Sequence, residues 1–130
     1  MIDLTDDIRL ANNARKRAHA PSSKYTVGAV LMAKNGKRYT GCNVENQGIQ
    51  SICAERVAFC KAISEGEREF ERIVLIGGPK DKEAERCLPC GYCRQFMSEF
   101  VDKDFKIYTV YENKVEEYTM EELLPYSFKL

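Results

Sequence analysis

The stretch Cys53-Ala54-Glu55-Arg56-Val57-Ala58-Phe59-Cys60-Lys61-Ala62-Ile63-Ser64-Glu65-Gly66, followed by Arg72-Ile73-Val74-Leu75-Ile76-Gly77-Gly78-Pro79, decides the fold class. Cys53 to Glu65 reads as a helix with Val57, Cys60, Ala62 and Ile63 as apolar members, and Gly66 marks its C-terminal end. Arg72 to Ile76 is a β-branched run, hence a buried strand. On the N-terminal side, Tyr25 to Ala33 is rich in β-formers and almost continuously apolar, Asn35-Gly36 is a hairpin turn, and Arg38 to Cys42 is the returning strand. Before them, residues from about Thr5 to Ala20 read as a helix stopped by Pro21, with Ile8, Ala11, Ala14 and Ala18 at helical spacing. Gly41–Ile52 is a polar loop and Lys80 to Arg86 a charged one. On the C-terminal side come a helix near Gly91 to Phe100, strands over Phe105 to Tyr111 and Val115 to Thr119 around an Asn113 turn, and a short helix from Met120 to Leu124 ended by Pro125. This order predicts an α/β protein with helices packed on a mostly buried mixed sheet.

The chain has 130 residues with no repeat, linker or low-complexity segment, so 1–130 reads as one domain. That length buries roughly two-thirds of its unfolded surface without needing disulfides. Lys plus Arg equals Asp plus Glu at 20 each, which argues against nucleic acid, because phosphate binding needs a clustered basic excess. Arg15-Lys16-Arg17 reads as the wet side of a helix. The N-terminus is acidic at Asp3, Asp6 and Asp7 and lacks the apolar core of a signal peptide. No apolar run is long enough to span a bilayer. A cytoplasmic location is the expectation, and there thiols stay reduced. Six cysteines, at 42, 53, 60, 87, 90 and 93, then read as candidate metal ligands before disulfides.

Cys53-Ala54-Glu55-Arg56 and Pro89-Cys90-Gly91-Tyr92-Cys93 each lie at a loop-to-helix junction. A helix start suits a thiolate, because unpaired N–H groups and the dipole favour negative charge. The two-residue gap between Cys90 and Cys93 lets both sulfurs reach one tetrahedral ion. With Cys53 they make three thiolate ligands for Zn2+ and leave one position open, as a catalytic zinc requires. Glu55 can approach that position without being a ligand. The pattern is the established signature of zinc deaminases, with Cys53 where the commoner form has His. Three thiolates give the site net negative charge, which makes bound water less acidic. Helix N-termini and Arg56 are the available compensators, with Arg94 a weaker one.

Val27-Gly28-Ala29, Gly41-Cys42-Asn43-Val44-Glu45-Asn46, Cys53-Ala54-Glu55-Arg56, Pro89-Cys90-Gly91-Tyr92-Cys93-Arg94-Gln95 and Glu122-Leu123-Leu124-Pro125-Tyr126-Ser127-Phe128 run in this order across nearly the whole chain. In this the sequence closely resembles the small cytidine deaminases. The resemblance implies a three-layer α/β/α fold with a mixed five-stranded sheet, and a homotetramer with shared active sites. It implies hydrolysis of cytidine or deoxycytidine to the uracil product and ammonia. Asn43 and Glu45 would hold the ribose, Ala54 the base through its backbone, and Tyr25 would line the pocket. Phe128 would reach in from a neighbouring subunit. Zinc lowers the pKa of water, and Glu55 would carry protons to N3 and to the leaving amine.

The chain departs from that family around the pocket. Gln47-Gly48-Ile49-Gln50-Ser51-Ile52 is one residue short and lacks a tyrosine, Ser22-Ser23 replaces Tyr-Ser, Tyr25 replaces Phe, and Tyr92 replaces a small residue. These changes bear on substrate range, and a modified cytosine nucleoside or an antibiotic such as blasticidin S is the alternative substrate. Other readings of the cysteines stay open. Cys87, Cys90 and Cys93 with Cys53 could hold an iron–sulfur cluster or close a structural zinc site, giving a zinc-stabilised binding module without turnover. Otherwise Cys87 reads as a plain loop thiol, Cys42 and Cys60 as small buried hydrophobes, and His19 as a surface residue at a helix end. Asn43 and Glu45 could be turn residues, and Tyr25 and Phe128 core aromatics.

Overall fold

The computed structural model describes residues 2–48 and 50–129. The elements are α1 (Thr5–Arg15), β1 (Tyr25–Ala33), β2 (Arg38–Cys42), α2 (Ala54–Ser64), β3 (Phe70–Pro79), α3 (Gly91–Ser98), β4 (Lys106–Tyr111), β5 (Lys114–Thr119) and α4 (Met120–Leu123). The strands form one sheet in the order β2-β1-β3-β4-β5. Only the β3–β4 pair is parallel, so the sheet is mixed as expected. A parallel pair needs a crossover, and the segment carrying Cys87, Cys90 and α3 supplies it.

Strand alternation divides the core into two faces. Ala29, Leu31 and Ala33 of β1 with Ile73 and Leu75 of β3 face Ala58, Phe59 and Ala62 of α2 and Met97 of α3. Val30, Val74 and Ile76 face the other way, against Leu4 and Ala11 on the α1 side. The result is the three-layer α/β/α arrangement. Among the described residues no helix is long and apolar enough to cross a membrane.

Two glycines set how closely the helices approach. A side chain at Gly28 on β1 would strike the Ala11 carbonyl and the Arg15 backbone of α1. One at Gly41 on β2 would strike the Ala54 carbonyl and the Ala58 N–H of α2. Gly41 thereby fixes the height of the α2 N-terminus, where the Cys53–Arg56 motif sits.

One buried polar cluster ties α1 to the sheet. Asp7 is fully buried, and its carboxylate accepts hydrogen bonds from Arg72 Nε at 3.0 Å, Arg72 Nη2 at 3.2 Å and Arg38 Nε at 3.0 Å. Asp7 therefore belongs to the interior and not to an acidic surface.

The structure corrects several expectations. α1 ends at Arg15, not near Ala20, because the backbone leaves the helix to pair at His19, whose N–H donates to the Asn43 carbonyl and whose carbonyl accepts from the Glu45 N–H. His19 then sits in an extended bridge with Val44, surface-exposed but clear of the helix. β3 runs from Phe70 to Pro79, longer than Arg72–Ile76. Cys60 is exposed and Cys42 half-buried, so neither is a buried hydrophobe. The hairpin bounds of β1 and β2 match the sequence reading, and Glu112 and Asn113 both take positive φ in the β4–β5 turn.

Candidate active site

Cys53 and Cys90 are the N-cap residues of α2 and α3, both in extended backbone conformation, and Cys93 lies in the first turn of α3. Neither cap makes a side-chain capping hydrogen bond, so the thiols are free for other partners. The three Sγ atoms lie within 4.8 Å of one another, with Cys53 and Cys90 3.9 Å apart. Tetrahedral coordination at the usual Zn–S length of about 2.3 Å sets sulfurs roughly 3.8 Å apart, so the donor set fits zinc. Cys87 does not join this cluster. It is buried in the loop behind, its backbone N–H donates to Thr109 Oγ1, and burial pushes its thiol up to about 12. That separates it from the four-sulfur arrangements an iron–sulfur cluster or a closed zinc site needs.

The Cys53 thiol is pulled down to about 5, first by a hydrogen bond from Cys93 and, after burial opposing it, by Arg56. Cys93 shifts upward through the same shared proton and its burial. Arg56 is 8% exposed, and its Nη2 donates to Cys53 Sγ at 3.5 Å. Burial works against its charge, but hydrogen bonds to Cys53 and Cys93 outweigh it, and its pKa rises. Arg94, the weaker candidate compensator, is spent on the Pro89 and Leu123 carbonyls and holds α3 in place.

Glu55 is 5% exposed in the first turn of α2. Burial raises its carboxyl to about 7, its own backbone N–H opposes that, and the charge on Cys53 adds to it. A carboxyl balanced near neutrality can both take and give a proton. Glu55 lines a cleft of about 220 Å³ with Cys53, Ala54, Cys90, Cys87, Leu88, Tyr25, Val27 and Asn43. The structure thus brings Cys53, Cys90, Glu55, Ala54, Tyr25 and Asn43 to one concavity, and leaves the third cysteine of the cluster, Cys93, fully buried.

Asn43 is tied to β1, with Oδ1 accepting from Val27 N–H and Nδ2 donating to the Tyr25 carbonyl, each at 2.8 Å. One lone pair and one N–H remain for a ligand. Glu45 lies outside the cleft lining, and its Oε1 accepts from the Ser22 and Ser23 N–H groups; the Ser23 side chain first, and then these N–H groups, hold its carboxyl below the usual range. Phe128 also lies outside, 63% exposed, so the expectation of a core aromatic fails for it. Of the shortened Gln47–Ile52 stretch, Ile49 falls outside the described residues, and Gln47, Gly48 and Gln50 are exposed. Sequence reasoning missed Cys87 as a cleft residue and the stacking of Arg56 on Tyr92, because neither leaves a periodic signal.

Residues 3–109 match the family described as the cytidine and deoxycytidylate deaminase zinc-binding region. A cytidine deaminase of Sporosarcina psychrophila is 38% identical over 129 residues, which span 98% of this chain and 92% of that one. A blasticidin-S deaminase of Bacillus cereus is 31% identical over 111 residues, 82% of this chain and 79% of that one. In structure, a crystal structure of cytidine deaminase from Burkholderia pseudomallei superposes with a TM-score of 0.86 at 34% identity, covering 98% of this chain and all of that one. With its zinc-compatible cysteines and its matching fold, the chain belongs to the cytidine and deoxycytidylate deaminase family.

Proposed function

We propose that this chain is a zinc-dependent deaminase of cytidine and deoxycytidine, acting with Glu55 as proton carrier. One observation carries the reading. Three sulfurs are spaced for a tetrahedral ion, and two of them, on Cys53 and Cys90, line a cleft with a buried carboxylate that lies outside the ligand set. Cys53, Cys90 and Cys93 would hold zinc, which when bound lowers the pKa of water toward neutrality for attack at C4. Glu55 takes the proton of the attacking water, places it on N3 of the base, and passes a proton to the departing amine, so that ammonia leaves. The fully buried backbone of Ala54 holds the base, and the ring of Tyr25 walls the cleft. Asn43 and Glu45 hold the sugar with the hydrogen-bonding capacity that β1 and the Ser22–Ser23 backbone leave them.

The solvent-exposed aromatic tail supports a homotetramer with shared sites. Tyr126 and Phe128 have little to pack against within one chain, and Phe128 would complete a neighbour's cleft. Six cysteines with no disulfide between any two of them fit a cytoplasmic location. The proposed partner is a small pyrimidine nucleoside in a salvage reaction, with neither nucleic acid nor membrane.

A second reading keeps the chemistry and changes the substrate to a modified cytosine nucleoside. The Bacillus cereus blasticidin-S deaminase among the relatives favours it, as do the exposed Gln47, Gly48 and Gln50. A panel of cytosine, cytidine, deoxycytidine, N4- and 5-substituted cytidines and blasticidin S, assayed for ammonia, separates the two. The expected result is turnover of cytidine and deoxycytidine with kcat/KM at least tenfold above blasticidin S. A preference for blasticidin S would transfer the assignment to the second reading.

A further inference from the structure

The Cys90–Cys93 turn carries a tyrosine, and that tyrosine touches the charge beside the metal site. Arg56 Cζ stands 4.0 Å from the centroid of the Tyr92 ring. Tyr92 itself is 56% exposed, so its ring lies over the guanidinium from the solvent side. Arg56 is nearly buried. It reaches the thiolate cluster through Nη2 to Cys53 Sγ at 3.5 Å. Arg56 Nε is a buried donor without a partner among the described residues. A guanidinium usually fixes its plane with several N–H bonds to flat acceptors. Here hydrogen bonding leaves one edge of the plane unanchored, and the face contact with Tyr92 supplies the missing constraint. A ring over a desolvated guanidinium also favours the charged, stacked pose through its negative face.

We propose that Tyr92 is a positioning residue, whose ring clamps the Arg56 guanidinium against Cys53 and so sets the charge felt by the metal thiolates. The inference rests on the proposed role of Arg56 as compensator of the three thiolates, and it assigns to Tyr92 a task that a small residue in this turn cannot perform. Without the ring, Arg56 keeps its charge but loses its fixed pose, and its hydrogen bond to Cys53 is made only part of the time. Groups that hydrogen-bond to the ligands of a metal tune the metal in this way.

The test uses the chain loaded with cobalt(II) in place of zinc, and reads the sulfur-to-cobalt charge-transfer band. A hydrogen bond to a thiolate stabilises its lone pairs and moves that band to shorter wavelength, and losing the bond moves it to longer wavelength. Arg56→Ala is expected to shift the band to longer wavelength. Tyr92→Ala and Tyr92→Leu shift it the same way, Tyr92→Phe stays with the wild type, and Arg56→Ala/Tyr92→Ala matches Arg56→Ala alone. In the zinc form, Tyr92→Ala lowers kcat about threefold to tenfold with KM unchanged, and Tyr92→Phe restores it. A wild-type band in Tyr92→Ala and Tyr92→Leu, beside a shifted one in Arg56→Ala, overturns the clamp and leaves the role of Arg56 standing. So does an additive double variant. An unshifted band in Arg56→Ala overturns the compensator reading itself, and the clamp falls with it.

Discussion

Glu55→Gln is expected to release ammonia from cytidine about 10²- to 10⁴-fold more slowly than the wild type while binding zinc in full. The substitution keeps the shape and polarity of the side chain and removes its capacity to carry a proton. Its separation of function follows from geometry. Glu55 sits in the first turn of α2 beside the cysteine cluster but outside it, so the ligand set survives the change. It is also 5% exposed, which leaves bulk water a poor substitute for the missing proton carrier. Zinc content is read by elemental analysis and turnover by ammonia release on the same preparation. Loss of zinc along with activity would make Glu55 a ligand, and retained activity would remove it from the reaction. A binding module without turnover would show no ammonia in either protein.

The second large effect is on stability. Asp7→Ala is expected to lower the unfolding free energy by about 3–5 kcal/mol, because removing one member of a buried charged cluster strands the others. Arg72 is nearly buried and donates twice to Asp7, so both of these bonds are lost to a side chain with little access to water. Arg38 is partly exposed and can turn to water, which keeps the cost within this range. A loss of that size is a large fraction of the roughly 5–15 kcal/mol that holds a small domain together. Urea unfolding with constant slope measures it. Replacing Asp7 and Arg72 together with apolar residues of similar size should recover part of the loss, since the desolvation of both charges is then removed. A loss below about 1 kcal/mol in Asp7→Ala would place the cluster with ordinary surface ion pairs.

These two residues also mark what the sequence can and cannot disclose. Cys53, Glu55, Cys90 and Cys93 are legible because their spacing is local: a helix start orients a thiol, and two intervening residues bring Cys90 and Cys93 to one ion. β1 and β2 are legible for the same reason, with an Asn35-Gly36 turn between two runs of β-formers. Asp7 is not legible, because its partners lie 31 and 65 residues away, and nothing near it in the chain announces burial. The early end of α1 at Arg15 follows from the pairing of the His19 backbone with Asn43 and Glu45, also far along the chain, which outweighs the helical spacing of Ala18. Cys60 fits an apolar helical pattern in sequence, yet the α2 packing leaves it outside. The Arg56–Tyr92 stack joins two helices that only the sheet brings together. Phe128 is the remaining case: it is exposed within one chain, and the role proposed for it needs a neighbouring copy.

The most direct test of zinc-dependent cytidine deamination is reconstitution followed by product analysis. The chain is stripped with a chelator under reducing conditions, reloaded with graded zinc, and assayed for uridine and ammonia from cytidine. The expected result is equimolar uridine and ammonia, absent without metal and rising in proportion to zinc up to one ion per chain. Full zinc loading without either product, or turnover that is indifferent to zinc, would contradict the account.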